Sequence, residues 1–176
     1  MAYVPNIALT CAILTSFAAA VTDSRRGTIP NSVTLPFVFV APGAYGIVGG
    51  FRAGVASAIA ASLCGVVPYV LFRIRAMGGG DVKLFAAVGA LTGYDLFAGL
   101  RIELATFAAA LLAVLWRQAR NRQLTETLRN TASAFFREGL PTALEANHSS
   151  TVRLGRFVFL ATTLHATTMF TLGRTS

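Results

Sequence analysis

Apolar runs of nearly membrane-spanning length dominate this sequence, and polar connections separate them. A helix that crosses the hydrocarbon core of a bilayer needs about 20 mostly apolar residues, with a usable range of about 17–25. The segments that meet or approach this length are 5–22, 33–50, 53–72, 82–99, 101–116 and 154–173. This pattern predicts an all-α membrane protein with about six transmembrane helices. It also indicates a single domain over residues 1–176.

The connection 117–153 is the longest polar stretch of the chain. Apolar side chains recur within it at helical spacing, while arginines occupy the other faces; these side chains are Leu124, Leu128, Ala132 and Phe135. The spacing predicts an amphipathic helix that lies in the cytoplasmic interface of the membrane. A partly disordered basic loop is the alternative that the sequence leaves open.

Composition supports a lipid environment. The chain is 55% hydrophobic and 12% charged, whereas a typical soluble domain contains about 25% charged residues. Its formal net charge of +8 would suit nucleic-acid binding if the basic residues formed one patch or stripe. Here the basic residues are spread over the connections between apolar runs, so we expect a lipid bilayer and no nucleic acid as a partner.

The distribution of basic residues predicts how the helices are oriented. Of the 15 lysines and arginines, all but Arg52, Arg101 and Arg174 follow the first, third or fifth apolar segment. Because connections rich in lysine and arginine face the cytoplasm, we expect the N-terminus to lie outside. The first basic residues come after the first apolar run rather than before it, so we expect that run to be kept as a helix and not removed as a signal peptide.

Cysteines and histidines suggest no metal site or nucleophile. Cys11 and Cys64 lie inside apolar runs without a neighbouring cysteine or histidine at metal-ligand spacing, so no disulfide, zinc site or other cofactor is expected. His148 lies in the polar connection. His165 lies inside the last apolar segment, where a polar contact between helices is the expected role.

Most of the seven acidic residues have ordinary surroundings. Solvated positions are expected for Asp95 in an outer turn and for Glu126, Glu138 and Glu145 in the polar connection. Glu103 lies close to Arg101 at the outer edge of a helix, where pairing with the arginine or snorkelling costs little.

The two remaining acids, Asp23 and Asp81, each lie at the cytoplasmic end of an apolar segment. An ionisable group at a membrane boundary is energetically costly and is therefore a candidate for function. Two structural interpretations stay open. Asp23 can pair with Arg25 or Arg26, and Asp81 can be a first-turn acid that the N-terminus of a helix favours.

The surroundings of both acids favour a functional interpretation. Glycines at 78, 79 and 80 precede Asp81, and three glycines together break a helix and let another backbone approach. A protease needs such an open backbone, because its substrate must lie extended beside the acid. After Asp23, the stretch Ile29–Asn31 ends any helical path, and Asn31 or Ser32 is expected to cap the second helix.

Two carboxylates brought together share a proton, so that one pKa rises and the pair titrates as a unit. The ionised member can take a proton from water while the protonated member polarises a peptide carbonyl. This is aspartic-protease chemistry. The charge of Lys83, two residues after Asp81, can hold the pair partly ionised, although an anchor at the cytoplasmic boundary is an equally good role for this lysine.

Two motifs resemble those of the type IV prepilin peptidases, which are membrane aspartic proteases. Residues 78–83 resemble the family's Gly-x-Gly-Asp motif, usually followed by x-Lys, and Asp23 with Ile29–Asn31 resembles its first aspartate with the downstream Ile-Pro-Asn. Their order, wide separation and placement at helix ends also match. The resemblance implies Asp23 and Asp81 as the catalytic pair, supported by Gly78, Gly80, Lys83, Pro30 and Asn31.

The resemblance covers most of residues 1–115 and is to the short peptidases of Flp-type, tight-adherence pilus systems. Longer members carry an N-terminal extension with Cys-x-x-Cys motifs and methylate the new N-terminus; those cysteines are absent here, so no methyltransferase is implied. The implied substrate is a prepilin whose basic leader precedes a glycine and a long apolar helix. A bacterial inner membrane, cleavage at its cytoplasmic face and contact with the pilus assembly machinery are also implied.

One stretch departs from the family pattern. Many relatives have a Pro-Tyr-Gly-like turn before the last helix, whereas residues 152–156 read Val-Arg-Leu-Gly-Arg. Two other functions stay open on the sequence: a small transporter whose carboxylates bind a proton or cation, and a non-catalytic membrane subunit of a pilus or secretion machine. A transporter would more naturally hold its acids near the bilayer midplane and contain inverted repeats.

Overall fold

A computed structural model describes residues 3–120 and 154–172, and every regular element in these ranges is an α-helix. The helices are α1 (Tyr3–Arg26), α2 (Asn31–Gly49), α3 (Phe51–Arg73), α4 (Gly79–Leu91), α5 (Ala98–Arg120) and α6 (Leu154–Leu172). Each of the six apolar segments predicted from the sequence therefore contains a helix, and the predicted all-α class is confirmed.

Four of the described helices are long and apolar enough to cross a membrane: α1 from Asn6, α2, α3 and α5 up to Arg117. Helix α4 has only 13 residues, and α6 contains Arg156, His165 and several threonines among its apolar residues. About six transmembrane helices were predicted, so two of the six helical segments fall short of the length or apolarity of a complete span.

The predicted fourth segment, 82–99, was wrong in its extent, because α4 ends at Leu91 and a turn occupies the residues before Ala98. In this turn the side chain of Asp95 accepts a hydrogen bond from the backbone N–H of Phe97 (3.0 Å) and also bonds the guanidinium of Arg101. A side chain that bonds the backbone two residues further on competes with helical hydrogen bonding. The polar turn therefore divides what looks like a continuous apolar stretch.

The connection between α1 and α2 depends on a glycine and a proline. Gly27 has a φ of +66°, in the left-handed region, and its N–H bonds the carbonyl of Asp23 at 2.9 Å, which ends α1. Pro30 then precedes α2 with extended backbone angles, and no side chain caps this helix. The prediction that Asn31 or Ser32 caps α2 was therefore wrong, and Asn31 has a different partner.

Helix α4 is the centre of the bundle and packs against α1, α2, α3 and α6. Its residues Leu84, Phe85 and Val88 are at most 1% exposed and belong to a core cluster with Ile102 of α5 and Val158 of α6. Burial of such side chains contributes about 1.5–3 kcal/mol each relative to exposure in water, and in a bilayer close packing takes over much of that role. The helix that begins beside Asp81 is thus held on all sides.

The polar residues expected at the outer edge are less solvated than predicted. Asp95 forms an ion pair with Arg101. Glu103, expected to pair with that arginine or reach solvent, is only 4% exposed, and its Oε2 has no hydrogen-bond partner among the described residues. His165, expected to make a polar contact between helices, has a polar contact with a turn instead: its Nε2 lies 3.5 Å from the hydroxyl of Tyr94 before α5.

The described residues fall into two compact units, residues 3–107 with 154–172 and residues 108–120. The first unit contains both candidate acids. The second is the C-terminal half of α5, which continues to Arg120 and so passes the predicted start of the polar connection at 117. The predicted amphipathic helix, with His148 and the three glutamates of that connection, lies outside the described residues.

Candidate active site

Asp23 occupies the last turn of α1 and is only 8% exposed. One carboxylate oxygen, Oδ2, is fully buried and has no hydrogen-bond partner in the described structure. The neighbouring Arg25 and Arg26 are exposed, and the ion pair found within residues 3–120 and 154–172 is that of Asp95 with Arg101. The structural interpretation in which Asp23 pairs with one of these arginines is therefore not realised.

Asp81 lies in the first turn of α4, outside the four candidate spans, and its N–H bonds the carbonyl of Gly78 at 3.1 Å. Burial, followed by the charge of Asp23, raises the pKa of the Asp81 carboxyl to about 6, and a hydrogen bond from the Gly78 backbone only partly offsets this. The acid is thus the first-turn residue that the sequence suggested, and it also interacts with Asp23. The fold brings the two acids to one place.

Two direct contacts join the segments that carry the acids. Gly80 packs against Ile29 so closely that a Cβ at position 80 would lie 3.0 Å from the Cβ of Ile29 and 3.4 Å from its backbone nitrogen. The ammonium group of Lys83 donates a hydrogen bond of 2.7 Å to Oδ1 of Asn31. The Ile-Pro-Asn stretch and the Gly-x-Gly-Asp stretch therefore pack on each other, and Asn31 serves this contact instead of capping α2.

The prediction that the glycines leave an open backbone beside Asp81 was wrong for two of the three positions. A Cβ at Gly79 would lie 3.3 Å from the ring of Phe72, and Ile29 covers Gly80. The helix break covers residues 74–78 and so includes only the first of the three glycines, because α3 ends at Arg73 and α4 already begins at Gly79. Gly79 and Gly80 therefore allow tight packing within the chain. Of the three glycines, Gly78 lies beside the carboxylate of Asp81, because a Cβ at position 78 would be 3.4 Å from Oδ2 of that residue.

The start of α6 also reaches the site, which the sequence reasoning missed. A Cβ at Gly155 would lie 3.2 Å from Oδ2 of Asp23. The guanidinium Nε of the next residue, Arg156, donates a hydrogen bond of 2.9 Å to the hydroxyl of Ser24. The sequence signal for this contact is the glycine at the start of the last apolar segment. The stretch around it drew attention only because it lacks a proline and a tyrosine.

No group of three or more histidine, cysteine or acidic side chains that could hold a metal ion occurs in residues 3–120 and 154–172. Cys11 and Cys64 are free thiols. The carboxyl groups of Asp23 and Asp81 interact, and that of Asp23 is largely shielded from solvent.

Fold and site together define an all-α membrane protein with a pair of interacting carboxylates at helix ends. A family model described as the type IV leader peptidase family matches residues 10–117, which is more than half of the chain and includes both Asp23 and Asp81. The chain belongs to the type IV leader peptidase family, as the motif resemblance predicted.

Two kinds of relatives agree with this membership. The chain is 34% identical over 114 residues to proteins named prepilin leader peptidase/N-methyltransferase in Burkholderia pseudomallei strains 1026b and K96243, a match that covers 61% of this chain and 36% of each relative. It is 36% identical over 92 residues to prepilin peptidase EppA of Methanothermobacter thermautotrophicus, covering 48% of this chain and 23% of that protein. The match thus spans little more than a third of the length of the two Burkholderia relatives and less than a quarter of the Methanothermobacter protein. No solved structure matches it.

Proposed function

We propose that the protein is a membrane aspartic endopeptidase that removes the leader peptide of type IV or Flp prepilins, with Asp23 and Asp81 as its catalytic pair. The observation that carries the proposal is the packing of the segment after Asp23 on the start of α4, where Gly80 lies against Ile29, in a chain of the leader peptidase family. The charge of Asp23 also raises the pKa of Asp81. The names of the relatives, which describe prepilin peptidases, support the substrate class.

In this mechanism the pair holds one proton. The carboxylate takes a proton from water, and the water oxygen attacks the carbonyl carbon of the scissile peptide bond while the carboxylic acid donates a hydrogen bond to the carbonyl oxygen. The C–N bond then breaks, and the leaving amine receives the proton that water gave up. Because its pKa is raised to about 6, Asp81 can take up and release a proton just below neutral pH, as an acid-base catalyst must.

Both acids belong to ends of helices that meet at one side of the bundle, the C-terminus of α1 and the N-terminus of α4. Basic residues follow both segments, which favours the cytoplasmic side. A bacterial inner membrane and cleavage at its cytoplasmic face are therefore part of the proposal. The lipid bilayer and the apolar helix of the prepilin are the partners it requires, and contact with pilus assembly proteins would follow cleavage.

Lys83 and Asn31 act in the proposal as positioning residues. Their hydrogen bond of 2.7 Å connects the segment that follows Asp23 with the helix that begins beside Asp81. The two roles that the sequence left open for Lys83, a charge that holds the pair partly ionised and an anchor at the cytoplasmic boundary, stay predictions.

The test is co-expression with a prepilin precursor that carries a basic leader, a glycine and an apolar helix. Gel mobility of the pilin would be compared for wild type, Asp23→Asn, Asp81→Asn and the matched control Asp95→Asn, whose carboxylate lies at the other end of α4. We expect wild type and Asp95→Asn to produce mature pilin, and each of the other two variants to lose at least about a thousandfold in rate. Cleavage that survives Asp23→Asn or Asp81→Asn would remove that acid from the mechanism, and the absence of cleavage by wild type over several precursors would contradict the proposed activity.

A further inference from the structure

The N-terminal turn of α6 makes an unusually tight contact with the buried acid of α1. A Cβ at Gly155 would lie 3.2 Å from Oδ2 of Asp23, 3.3 Å from its Cβ and 3.3 Å from the Cα of Ala20. Separations of 3.0–3.4 Å are tighter than nearly all real Cβ contacts. A side chain at position 155 would therefore force Asp23 or its surroundings to move by a few tenths of an ångström.

Contacts further along the same pair of helices fix α6 against α1. The rings of Phe17 and Phe159 have centroids 5.4 Å apart, and the hydroxyls of Ser16 and Thr162 are 3.3 Å apart. Together with the bond from Arg156 to Ser24, these contacts anchor α6 along its length. The start of α6 therefore cannot withdraw from Asp23 without breaking them.

A purely structural role, close packing of two helices, would explain a glycine at this position if only backbone atoms met there. Two observations point to the acid instead. The nearest atom to a Cβ at 155 is the carboxylate oxygen Oδ2, and this oxygen is buried without a hydrogen-bond partner among the described residues. Since no hydrogen bond holds Oδ2, the contact with Gly155 limits where it can lie.

We infer that Gly155 is a positioning residue for Asp23, so that α6 helps to set the geometry of the two acids. The inference rests on the proposed function for its catalytic consequence, and it concerns a residue beyond the matched range 10–117. It also accounts for the stretch before the last helix, in which the glycine is present although the proline and tyrosine of many relatives are not.

The first test replaces Gly155 by alanine and measures precursor cleavage in detergent or liposomes. Because the added methyl group displaces the carboxylate of Asp23, we expect kcat to fall by about 10- to 100-fold while KM changes by less than about twofold. The matched control is Gly65→Ala, a glycine of α3 whose Cβ would meet Ala86 of α4 at an ordinary 3.8 Å. This control should keep wild-type kinetics and wild-type thermal stability.

A second variant keeps the inference testable if Gly155→Ala does not fold. Arg156→Met removes the bond to Ser24 and adds no volume beside Asp23, so it frees the start of α6 without a clash. We expect a smaller loss of kcat, by about threefold, with KM unchanged. The inference would be overturned if Gly155→Ala and Arg156→Met both had the same kcat and KM as Gly65→Ala.

A measurement without substrate separates this inference from the proposed activity. Labelling of Asp23 by a hydrophobic carbodiimide, quantified by peptide mass spectrometry, depends on the surroundings and protonation of its carboxyl group, and we expect Gly155→Ala to change the labelling rate by about threefold or more. If wild type cleaves no precursor but the labelling rate changes, the activity is wrong and the positioning role stands. If wild type cleaves and Gly155→Ala matches Gly65→Ala in cleavage and labelling, the positioning role is wrong and the activity stands.

Discussion

Carboxylates lie at both ends of α4, and their partners differ. At one end, Asp95 is paired with Arg101 and bonds the backbone of Phe97. At the other, the charge that raises the pKa of Asp81 is that of a second acid, Asp23, whose Oδ2 has no hydrogen-bond partner in the described structure. The first arrangement satisfies its charges and closes a turn. The second leaves charge uncompensated, which is typical of a site that must exchange protons.

Burial of an acid does not by itself identify a site. Glu103 is buried even more completely than Asp23, yet no second carboxylate is known to act on it. The distinguishing property of the Asp23–Asp81 pair is mutual interaction, supported by contacts between the segments that carry the two residues. The following variants test this difference between the two ends of α4.

The largest effect after loss of the acids themselves is expected for Gly80→Ala. The new Cβ would lie 3.0 Å from the Cβ of Ile29, an atom that cannot move without its backbone, so the segments that carry the two acids must shift apart. We expect kcat to fall by about 100-fold. Cleavage assays with Gly65→Ala as the control check this, and a variant with wild-type kcat would show that the two segments need not touch.

Asp81→Asn should inactivate the protein and at the same time stabilise it at neutral pH. The folded pKa of about 6 lies above the ordinary value of 3.8, so the folded state binds protons more tightly than the unfolded state, and stability falls as pH rises from about 4 to about 6. The variant has no carboxyl group to ionise at this position. At pH 7 we therefore expect its free energy of unfolding to be about 1–2 kcal/mol higher than that of wild type. Below pH 4 the gain should vanish.

Asp95→Asn should have the opposite sign. It removes the charge of a partly exposed ion pair, and such pairs contribute about 0–1 kcal/mol. Thermal unfolding in detergent at pH 4 and pH 7 compares the two variants directly. Equal shifts for Asp81→Asn and Asp95→Asn at pH 7 would contradict the distinction between a proton-exchanging pair and a structural ion pair.

The hydrogen bond between Lys83 and Asn31 is exposed, so we expect it to stabilise the contact of the two segments by about 1 kcal/mol, the net contribution of a typical hydrogen bond. Lys83→Met and Asn31→Leu should each lower kcat by about 5-fold, and the double variant should lose no more than either single one. Additive losses in this cycle would mean that the two side chains act separately.

The smallest effect concerns the backbone between α3 and α4. Arg75 has a φ of +59°, a conformation that costs a residue with a Cβ about 1 kcal/mol and glycine almost nothing. Arg75→Gly should therefore raise the free energy of unfolding by up to about 1 kcal/mol, as measured by thermal unfolding. A loss of cleavage despite this gain would show that the arginine side chain, or the strain, serves the site.

The sequence predicted the helical class and six helical segments, because both depend on local composition. From its motifs it also predicted Asp23 and Asp81 as a catalytic pair, which stays a prediction. It misplaced the end of α4, since the turn around Asp95 forms through bonds to Phe97 and Arg101 that apolar length does not reveal. It also assigned Asn31 to a cap, whereas Lys83, 52 positions away, is its partner.

The glycines show the same limit of local reasoning. An open backbone was expected at Gly79 and Gly80, but Phe72 and Ile29 fill the space beside them. The sequence does not reveal the importance of Gly155, because this importance depends on which residue of α1 packs against the glycine. Both depend on how distant helices pack, which a single sequence does not encode in any short pattern.

The burial of α4 has a genetic consequence. From Leu84 to Leu91 only Ala86 is not fully buried, so the helix has almost no face on which substitutions can accumulate neutrally. Helix α2, in contrast, presents Phe39, Val40 and Ile47 outward, each more than 60% exposed. In a library of all single substitutions, we therefore expect almost any apolar change to be tolerated at those three positions of α2 and few changes to be tolerated in α4. Natural variants should accordingly differ mostly on the outer surface of the bundle and little in its core.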